Sequence, residues 1–295
     1  MSLNVLEPFE SSRWNGPFMT ADRERALHAL ERGRLLYFPH LPFLLEETES
    51  RFLSPNWSDG RAKNISFDPV QDSLKGTKVT GPDARALHVM MARYAAATKQ
   101  LLESLIPSYG PKLQQARTSF RPLEIAGRPS SYKKDDTRLH TDAFPSRPTR
   151  GARILRVFTS VNPAGEDRVW RVGEPFESFA RQFLPSVRWP VPGLAWLLAA
   201  LQITKGRRAA YDHVMLQLHD RAKGDERYQR EVPQVELAFP PGSTWIVFTD
   251  QVLHAAMSGQ YLFEQTYHMP ISAQRWPELS PLRTLERLSG RTLVS

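Results

Sequence analysis

The sequence contains no cysteine. Disulfides and thiolate metal sites are therefore excluded, and any metal must be held by histidine, aspartate, glutamate or backbone oxygen. Long apolar runs are also missing. The longest, Leu194 to Leu201, falls far short of the roughly 20 residues that a membrane-spanning helix needs. The opening segment, Met1 to Glu10, has no basic start followed by an apolar stretch, so no signal peptide is expected and the cytoplasm is the expected compartment. Acidic residues are in deficit, 31 Asp and Glu against 39 Lys and Arg, and the net charge is +8. That surplus suits an anionic partner, whether phosphate, carboxylate, nucleic acid or a membrane face, and it is equally what a simple solubility bias would give. Neither a repeat at solenoid or propeller spacing nor a low-complexity segment is visible.

What is present reads as a strand-rich core decorated by helices. Residues 17–33 form a short helix stopped by Gly33, followed by a strand at Leu35 to Phe38, and Phe43 to Leu53 suggests a second helix. Ser54 to Lys78 is polar and reads as a long surface loop. A longer helix from about Pro82 to Leu105 carries the apolar stripe Leu87, Met90, Met91, Tyr94, Leu101, Leu102 and Leu105, which marks it as a buttress on a sheet. Strand candidates follow at 118–160, ending in Ala152 to Ser160, and again at Gln234–Phe239, Ser243–Phe248, Val252–Met257 and Gln260–Pro270. Between them, residues 161–232 read as a helical insertion with candidates at Glu174–Leu184, Leu194–Ile203 and about Arg207–Ala222. The division is thus one domain over 1–295, with a helical and mixed buttress at 1–117, core strands at 118–160 and 233–272, and the insertion at 161–232.

The chemistry concentrates at His140-Thr141-Asp142. On an extended segment a histidine and a carboxylate two residues apart point to the same side. One further histidine would complete the facial set of two histidines and one carboxylate that non-haem Fe(II) oxygenases use, with open positions for other ligands. Eight histidines are available. His28 and His88 fall on helices as surface or core residues, and His213 and His219 look solvated on the insertion helix, six apart and so on different faces. His254 stands near the start of a late strand. In an eight-stranded, double-layered barrel the His-x-Asp comes from an early core strand and the second histidine from a late one, so His254 is the candidate third ligand. The bare tripeptide also arises by chance.

The block from Ser131 to Ser146, continuing through Arg150 to Phe158 and Asp167 to Phe176, resembles the Kdo 3-hydroxylases of Gram-negative bacteria. The resemblance is specific over about 129–176 and continues around 240–257. These are Fe(II)- and 2-oxoglutarate-dependent dioxygenases that hydroxylate the 3-deoxy-octulosonic acid (Kdo) sugar of Kdo-lipid A. The resemblance implies a mainly β fold with a double-stranded β-helix core (jelly-roll, cupin-like), flanking helices and a helical insertion. It assigns His140, Asp142 and His254 as iron ligands. It further implies Fe(II), 2-oxoglutarate and O2 as cofactor and cosubstrates, with ascorbate stimulatory, and succinate and CO2 as coproducts.

The distal carboxylate of 2-oxoglutarate calls for a cation, and arginine suits a bidentate contact. In many members of the superfamily that arginine follows the distal histidine by a dozen or so positions, but Gln260 to Met269 holds neither Arg nor Lys. A second arrangement puts it on the strand after His-x-Asp, just beyond a glycine, and Gly151-Ala-Arg153 resembles that. Arg153 is accordingly the first candidate, with Arg156, Arg275 and Tyr132 behind it. Arg153 and Arg156 differ by three, so a regular strand cannot turn both inward. For the sugar acid, the flanking cations Lys133, Lys134, Arg138, Arg147, Arg150, Arg168 and Arg171 are candidates, each with a solvated surface charge as its plain alternative. Val191 to Arg208 joins an apolar stretch with Trp196 to Lys205, Arg207 and Arg208. It fits either a peripheral contact with an anionic membrane, on the inner face of the inner membrane, or a buried helix covering the barrel. The expected partner is Kdo-lipid A or a related anionic glycolipid, and no nucleic acid. The competing readings are a 2-oxoglutarate hydroxylase of another anionic small molecule or a protein side chain, and a non-catalytic basic binding module.

Overall fold

The structure is a computed structural model, and it describes residues 4–127, 130–191, 193, 196–197, 200–204 and 206–294. Two β-sheets face each other. The larger has the order β1-β2-β9-β6-β11-β5-β3-β4 and the smaller the order β10-β7-β8. Their strands are β1 (Leu6–Pro8), β2 (Leu35–Phe38), β3 (Ile65–Asp68), β4 (Ser73–Lys75), β5 (Gln114–Arg121), β6 (Arg153–Ser160), β7 (Arg168–Val172), β8 (Val235–Phe239), β9 (Thr244–Phe248), β10 (His254–Ser258) and β11 (Leu262–Met269). The helices are α1 (Thr20–Glu31), α2 (Gly81–Leu105), α3 (Phe176–Phe183), α4 (Ala210–Gly224), α5 (Glu226–Glu231) and α6 (Pro281–Ser289). Around β6 and β11 all pairings are antiparallel.

Alternation along the central strands builds a core on each face of the large sheet. On the outer face Leu155, Val157, Ile246, Phe248 and Tyr267 pack against Leu30 of α1 and Leu101, Leu102 and Leu105 of α2. Tyr94 of α2 donates to the Val157 carbonyl at 3.2 Å, and Thr98 pairs with the Tyr267 hydroxyl at 2.8 Å, so the buttress is bonded as well as packed. On the inner face Phe158, Trp170, Phe239 and Trp245 fill the gap between sheets. The Phe239 and Trp245 rings stack with centroids 4.0 Å apart, Phe158 stacks on Trp245 at 5.4 Å, and Trp170 stacks on His254 at 5.1 Å. Such aromatic pairs add roughly 0.5–1.5 kcal/mol each beyond area burial. The row ends on a histidine, which fixes that ring. Behind β10, helices α3, α4 and α6 pack on Leu139, Leu253 and Ala255.

The buttress helix and the core strands fall where the sequence reading puts them, and Phe43 to Leu53 holds a 3-10 helix, Glu47–Phe52. Two segments differ. The segment 54–78 is not a plain surface loop, because it holds the β3–β4 hairpin at the edge of the large sheet. Its strands are short and Asp68 caps the turn by accepting from Val70 and Gln71, so turn residues dominate the composition. The segment 161–232 is not wholly helical either. It contains β7, the middle strand of the small sheet, whose inward residues are Arg168, Trp170 and Val172. A strand with an arginine on its inward face does not show an apolar alternation. The expected helix at Leu194–Ile203 lies partly outside the described residues. No element was expected beyond residue 270, where α6 packs Leu282 and Leu285 into the helical layer.

Arg153 lies on the outer side of β6 rather than in the barrel. Its side chain has no exposure, donates to Asp250 at 2.7 Å and to Gln251 at 2.7 Å, and covers the Phe248 ring at 3.8 Å. Removing one partner of such a buried pair leaves an uncompensated charge, at a cost of about 3–5 kcal/mol. Asp250→Ala is therefore expected to lower the unfolding free energy by about that amount in urea titration, and a loss below about 1 kcal/mol would show that the pair is not what secures this junction.

Candidate metal centre

His140 and His254 are backbone partners across the barrel. The N–H of each donates to the carbonyl of the other, at 3.1 and 2.9 Å. Residues paired in this way project side chains to the same face, and the two rings lie 4.7 Å apart. Asp142 returns to that face by the period of two, and its N–H donates to the Thr249 carbonyl at 2.8 Å, which ties it to the end of β9. One ligand atom from each of the three residues lies within 4.8 Å of the other two.

The imidazoles are preset. His140 Nδ1 sits 2.7 Å from the Arg138 carbonyl and His254 Nδ1 sits 2.9 Å from the Val252 carbonyl. A carbonyl only accepts, so each Nδ1 carries the proton and each Nε2 keeps its lone pair. Burial pushes both histidines below their ordinary pKa, His140 strongly and with help from His254, so both are neutral at neutral pH. Burial works against ionisation of Asp142, but Arg156 and His254 outweigh it and hold the carboxyl below its usual range. Its Oδ2 is buried without a hydrogen bond. Two neutral imidazoles and one carboxylate with a spare lone pair, and no thiolate nearby, fit the donor set of a non-haem Fe(II) centre.

The triad borders a hollow of about 60 Å³, whose other walls include Arg121, Asp136, Arg156, Phe158, Arg168 and Trp170. Its charges are not equally matched. Arg156 stands 3.2 Å from Asp142 and 3.3 Å from Glu264. Arg121 donates to Glu264 through two nitrogens, at 2.6 and 3.1 Å. Glu264 is ionised despite its burial because these two arginines flank it. Arg168 differs. Its one hydrogen bond goes to the Gly259 carbonyl, its Nε is unsatisfied, and among the described residues no carboxylate pairs with it. Burial, with Arg121 nearby, pulls its pKa to about 9, which leaves it charged at neutral pH.

The expected site residues scatter. Arg153 is bound to Asp250 outside the hollow, so the expectation that it faces the iron does not hold; of the two arginines on β6 it is Arg156 that turns inward. Arg275 is an exposed partner of Glu24 over the Trp276 ring, remote from the triad. Tyr132 is exposed and packs on Gly224. Lys133 pairs with Asp220, Arg138 with Asp135 and Glu226, and Arg171 donates to Met257 Sδ and the Thr137 carbonyl. Arg147 and Arg150 are exposed, and Lys134 lines a neighbouring basin. Only Arg168 of that group borders the triad's hollow.

His219, read from sequence as solvated, instead stands edge-on to the His140 ring at 5.3 Å. Arg121, Asp136 and Glu264 were not foreseen. A glutamate directly after Leu262 and Phe263 in a core strand is the one local signal that could have marked them, since a buried charge needs partners.

The two facing sheets and the triad define the class: a double-stranded β-helix of the non-haem Fe(II) dioxygenase type. The family model described as 3-deoxy-D-manno-oct-2-ulosonic acid (Kdo) hydroxylase matches residues 13–292. The chain belongs to that family. The apo structure of the Kdo hydroxylase KdoO, a non-haem Fe(II) alphaketoglutarate-dependent dioxygenase, is 49% identical, with a TM-score of 0.96 over 99% of this chain and 98% of the other. The cobalt(II) complex of KdoO is 50% identical with a TM-score of 0.97, and its complex with alphaketoglutarate and Fe(III) is 49% identical with a TM-score of 0.96, both over the same shares of the two chains. A search of curated proteins finds no match.

A centre built from these three residues predicts that wild-type protein titrated with Co(II) develops visible d–d absorption, and that Asp142→Ala and His254→Ala each lose it. Undiminished absorption in both variants would place the metal elsewhere.

Proposed function

We propose that the chain is an Fe(II)- and 2-oxoglutarate-dependent hydroxylase of carbon 3 of Kdo in Kdo-lipid A, with His140, Asp142 and His254 as the iron ligands. The neutral two-histidine, one-carboxylate cluster facing a buried and unneutralised arginine, in a member of this family, carries the reading. Bound there, the iron supplies the centre at which O2 is reduced as 2-oxoglutarate becomes succinate and CO2. The chain's own residues position and shield. Arg156 braces the Asp142 carboxylate, while Trp170 and Phe158 wall the hollow with aromatic surface and keep water out.

For the distal carboxylate of the cosubstrate, Arg168 is the favoured receptor, displacing the candidates Arg153, Arg156, Arg275 and Tyr132. A guanidinium already shared between two carboxylates gains less from a third than one left unpaired, and burying an uncompensated charge costs several kcal/mol. A ligand carboxylate at Arg168 offsets that cost. Reach supports the same choice. His254 pairs with Val172, and Arg168 lies four residues further along β7, roughly 13 Å at about 3.3 Å per residue. Both side chains project from the same face of the small sheet into the hollow, and that span leaves room for a dicarboxylate between them.

The stretch 191–208 lies partly outside the described residues, yet Val191, Trp196, Leu197, Leu201 and Ile203 are all exposed, at 46–65%. Neighbouring large apolar side chains in water mark a contact surface, and Arg207 close by is exposed. This supports the peripheral membrane reading over a helix buried on the barrel, on the cytoplasmic face where the lipid-linked sugar acid would be met. No helix among the described residues is long and apolar enough to cross a membrane.

Two measurements test these assignments. Mass spectrometry of Kdo-lipid A incubated with protein, Fe(II), 2-oxoglutarate and O2 should show one added oxygen on Kdo, with Arg168→Gln raising the KM for 2-oxoglutarate at least about tenfold, near 1.4 kcal/mol. An unmodified Kdo would sink the acceptor, and an unchanged KM would return the cosubstrate to Arg156. In cosedimentation with anionic vesicles, wild type should bind less as salt rises, and Trp196→Ser with Leu201→Ser should bind least; equal binding by both proteins would remove the surface.

A further inference from the structure

A second hollow lies against the triad's own. Its walls include Lys63, Asn64, Leu123 and Ser130, and it shares Arg121 and Asp136 with the hollow that holds His140, Asp142 and His254. At that common wall Lys63 Nζ donates to both Asp136 oxygens, at 3.0 and 2.9 Å, and to the Lys134 carbonyl at 2.6 Å. Lys63 comes from the stretch between a 3-10 turn at Pro55–Trp57 and β3, so no sheet ladder holds it.

The donors and acceptors here suit a polyhydroxylated acid. The Asn64 side-chain oxygen is buried with no partner among the described residues, an unfavourable state that a hydroxyl donor would relieve. Leu123 presents an apolar wall beside it. The Lys63–Asp136 bridge is part-exposed, at 37% and 29% for the two side chains. Lys63 is the more open partner, and Arg121 remains beside Asp136 to hold its charge when an incoming carboxylate takes Lys63. Of the other cations, Arg121 is tied to Glu264, Lys134 lines the hollow from its exposed side, and Arg168 borders only the triad's hollow, where the cosubstrate is assigned.

We propose that this outer hollow is the sugar-acid subsite, in which Lys63 leaves Asp136 to take the substrate's carboxylate and Asn64 accepts a hydrogen bond from a sugar hydroxyl. The proposal rests on the Kdo hydroxylase reading and deepens it. In a 2-ulosonic acid the carboxyl carbon is bonded to the ring carbon next to carbon 3. Its counter-ion must therefore stand at the edge of the iron-facing hollow rather than at its floor, and the wall shared through Asp136 is such an edge. The remaining hydroxyls then point outward, toward Asn64 and Ser130.

Steady-state kinetics of Lys63→Met, Lys63→Arg and Asn64→Ala on Kdo-lipid A, with both substrates varied, test the subsite. Lys63→Met should raise the KM for the sugar about tenfold or more, leave the KM for 2-oxoglutarate and the anaerobic Fe(II)–2-oxoglutarate absorption band at wild-type values, and yield less hydroxylated sugar per succinate. Lys63→Arg should recover most of the loss, and Asn64→Ala should raise the sugar KM alone. A bridge that merely holds the loop would shift both KM values together, and that result, like an unchanged sugar KM in Lys63→Met and Asn64→Ala, overturns the proposal. Consumption of 2-oxoglutarate by wild type without any Kdo oxidation would instead fell the function on which the subsite depends.

Discussion

The rest of the site depends on one pair of backbone hydrogen bonds, the exchange between His140 and His254. It is a bridge outside the regular ladders, made where the segment after Arg138 meets the start of β10. Because the bonding is between backbones, it fixes the direction of both imidazoles before any side chain takes part. The local carbonyls of Arg138 and Val252 then choose the tautomer. Trp170, stacked on His254 and wedged against Phe158 and Trp245, carries the rigidity of the inter-sheet core to the ligand itself. A ring held from behind by packing and at its edge by a carbonyl has little rotamer freedom left to lose when a metal binds, which is how a three-ligand centre becomes preorganised.

The electrostatics around this pair divide into satisfied and unsatisfied charge, and the division separates stability from function. Arg153 and Asp250 neutralise each other in a dry layer against the Phe248 ring, where an unpaired partner would be strongly destabilising. Glu264 plays a similar part inside the barrel, holding Arg121 and Arg156 in place from the strand between them. That strand supplies the carboxylate, and the cations come from the strands on either side. Among the described residues Arg168 makes no ion pair, a state that folding tolerates only at a cost and that an anionic ligand would repair.

What the sequence disclosed, and what it hid, follows from the range of the interactions concerned. His140 and Asp142 are two residues apart, so the period of a strand placed them together, and His254 could be joined to them because it opens a late strand. The apolar stripe of α2 was equally plain, since its residues recur three and four positions apart and so share the one face that packs on the sheet. Arg153 and Arg156 could not both face the iron, but sequence has no means of saying which one does; that is settled by Asp250, nearly a hundred residues on, which captures Arg153. β7 was lost for a related reason, because its inward face opens with the charge the site needs. His219 looked solvated on its helix because the residue it abuts, His140, lies on a different element altogether.

Under the proposed function, a sugar acid carried on a lipid makes opposite demands on one small domain. The lipid calls for apolar groups left in water, a cost that a membrane would repay, and Trp196, Leu197, Leu201 and Ile203 are exposed in that manner. The acid calls for cations taken out of water, a cost that only an anion repays, and Arg168 and the part-buried Lys63 are in that position. Both kinds of group are unfavourable in the free protein. Their cost must be carried by the rest of the fold, and the double core on the faces of the large sheet, dry and bonded to α2, is where the apolar burial that can offset it lies. The groups that await an anion or a hydroxyl stand on the inner side and rim of the site, Arg168 on β7 and Lys63 and Asn64 beside β3. The outer face of the large sheet, with α1 and α2 packed on it, is the support behind them.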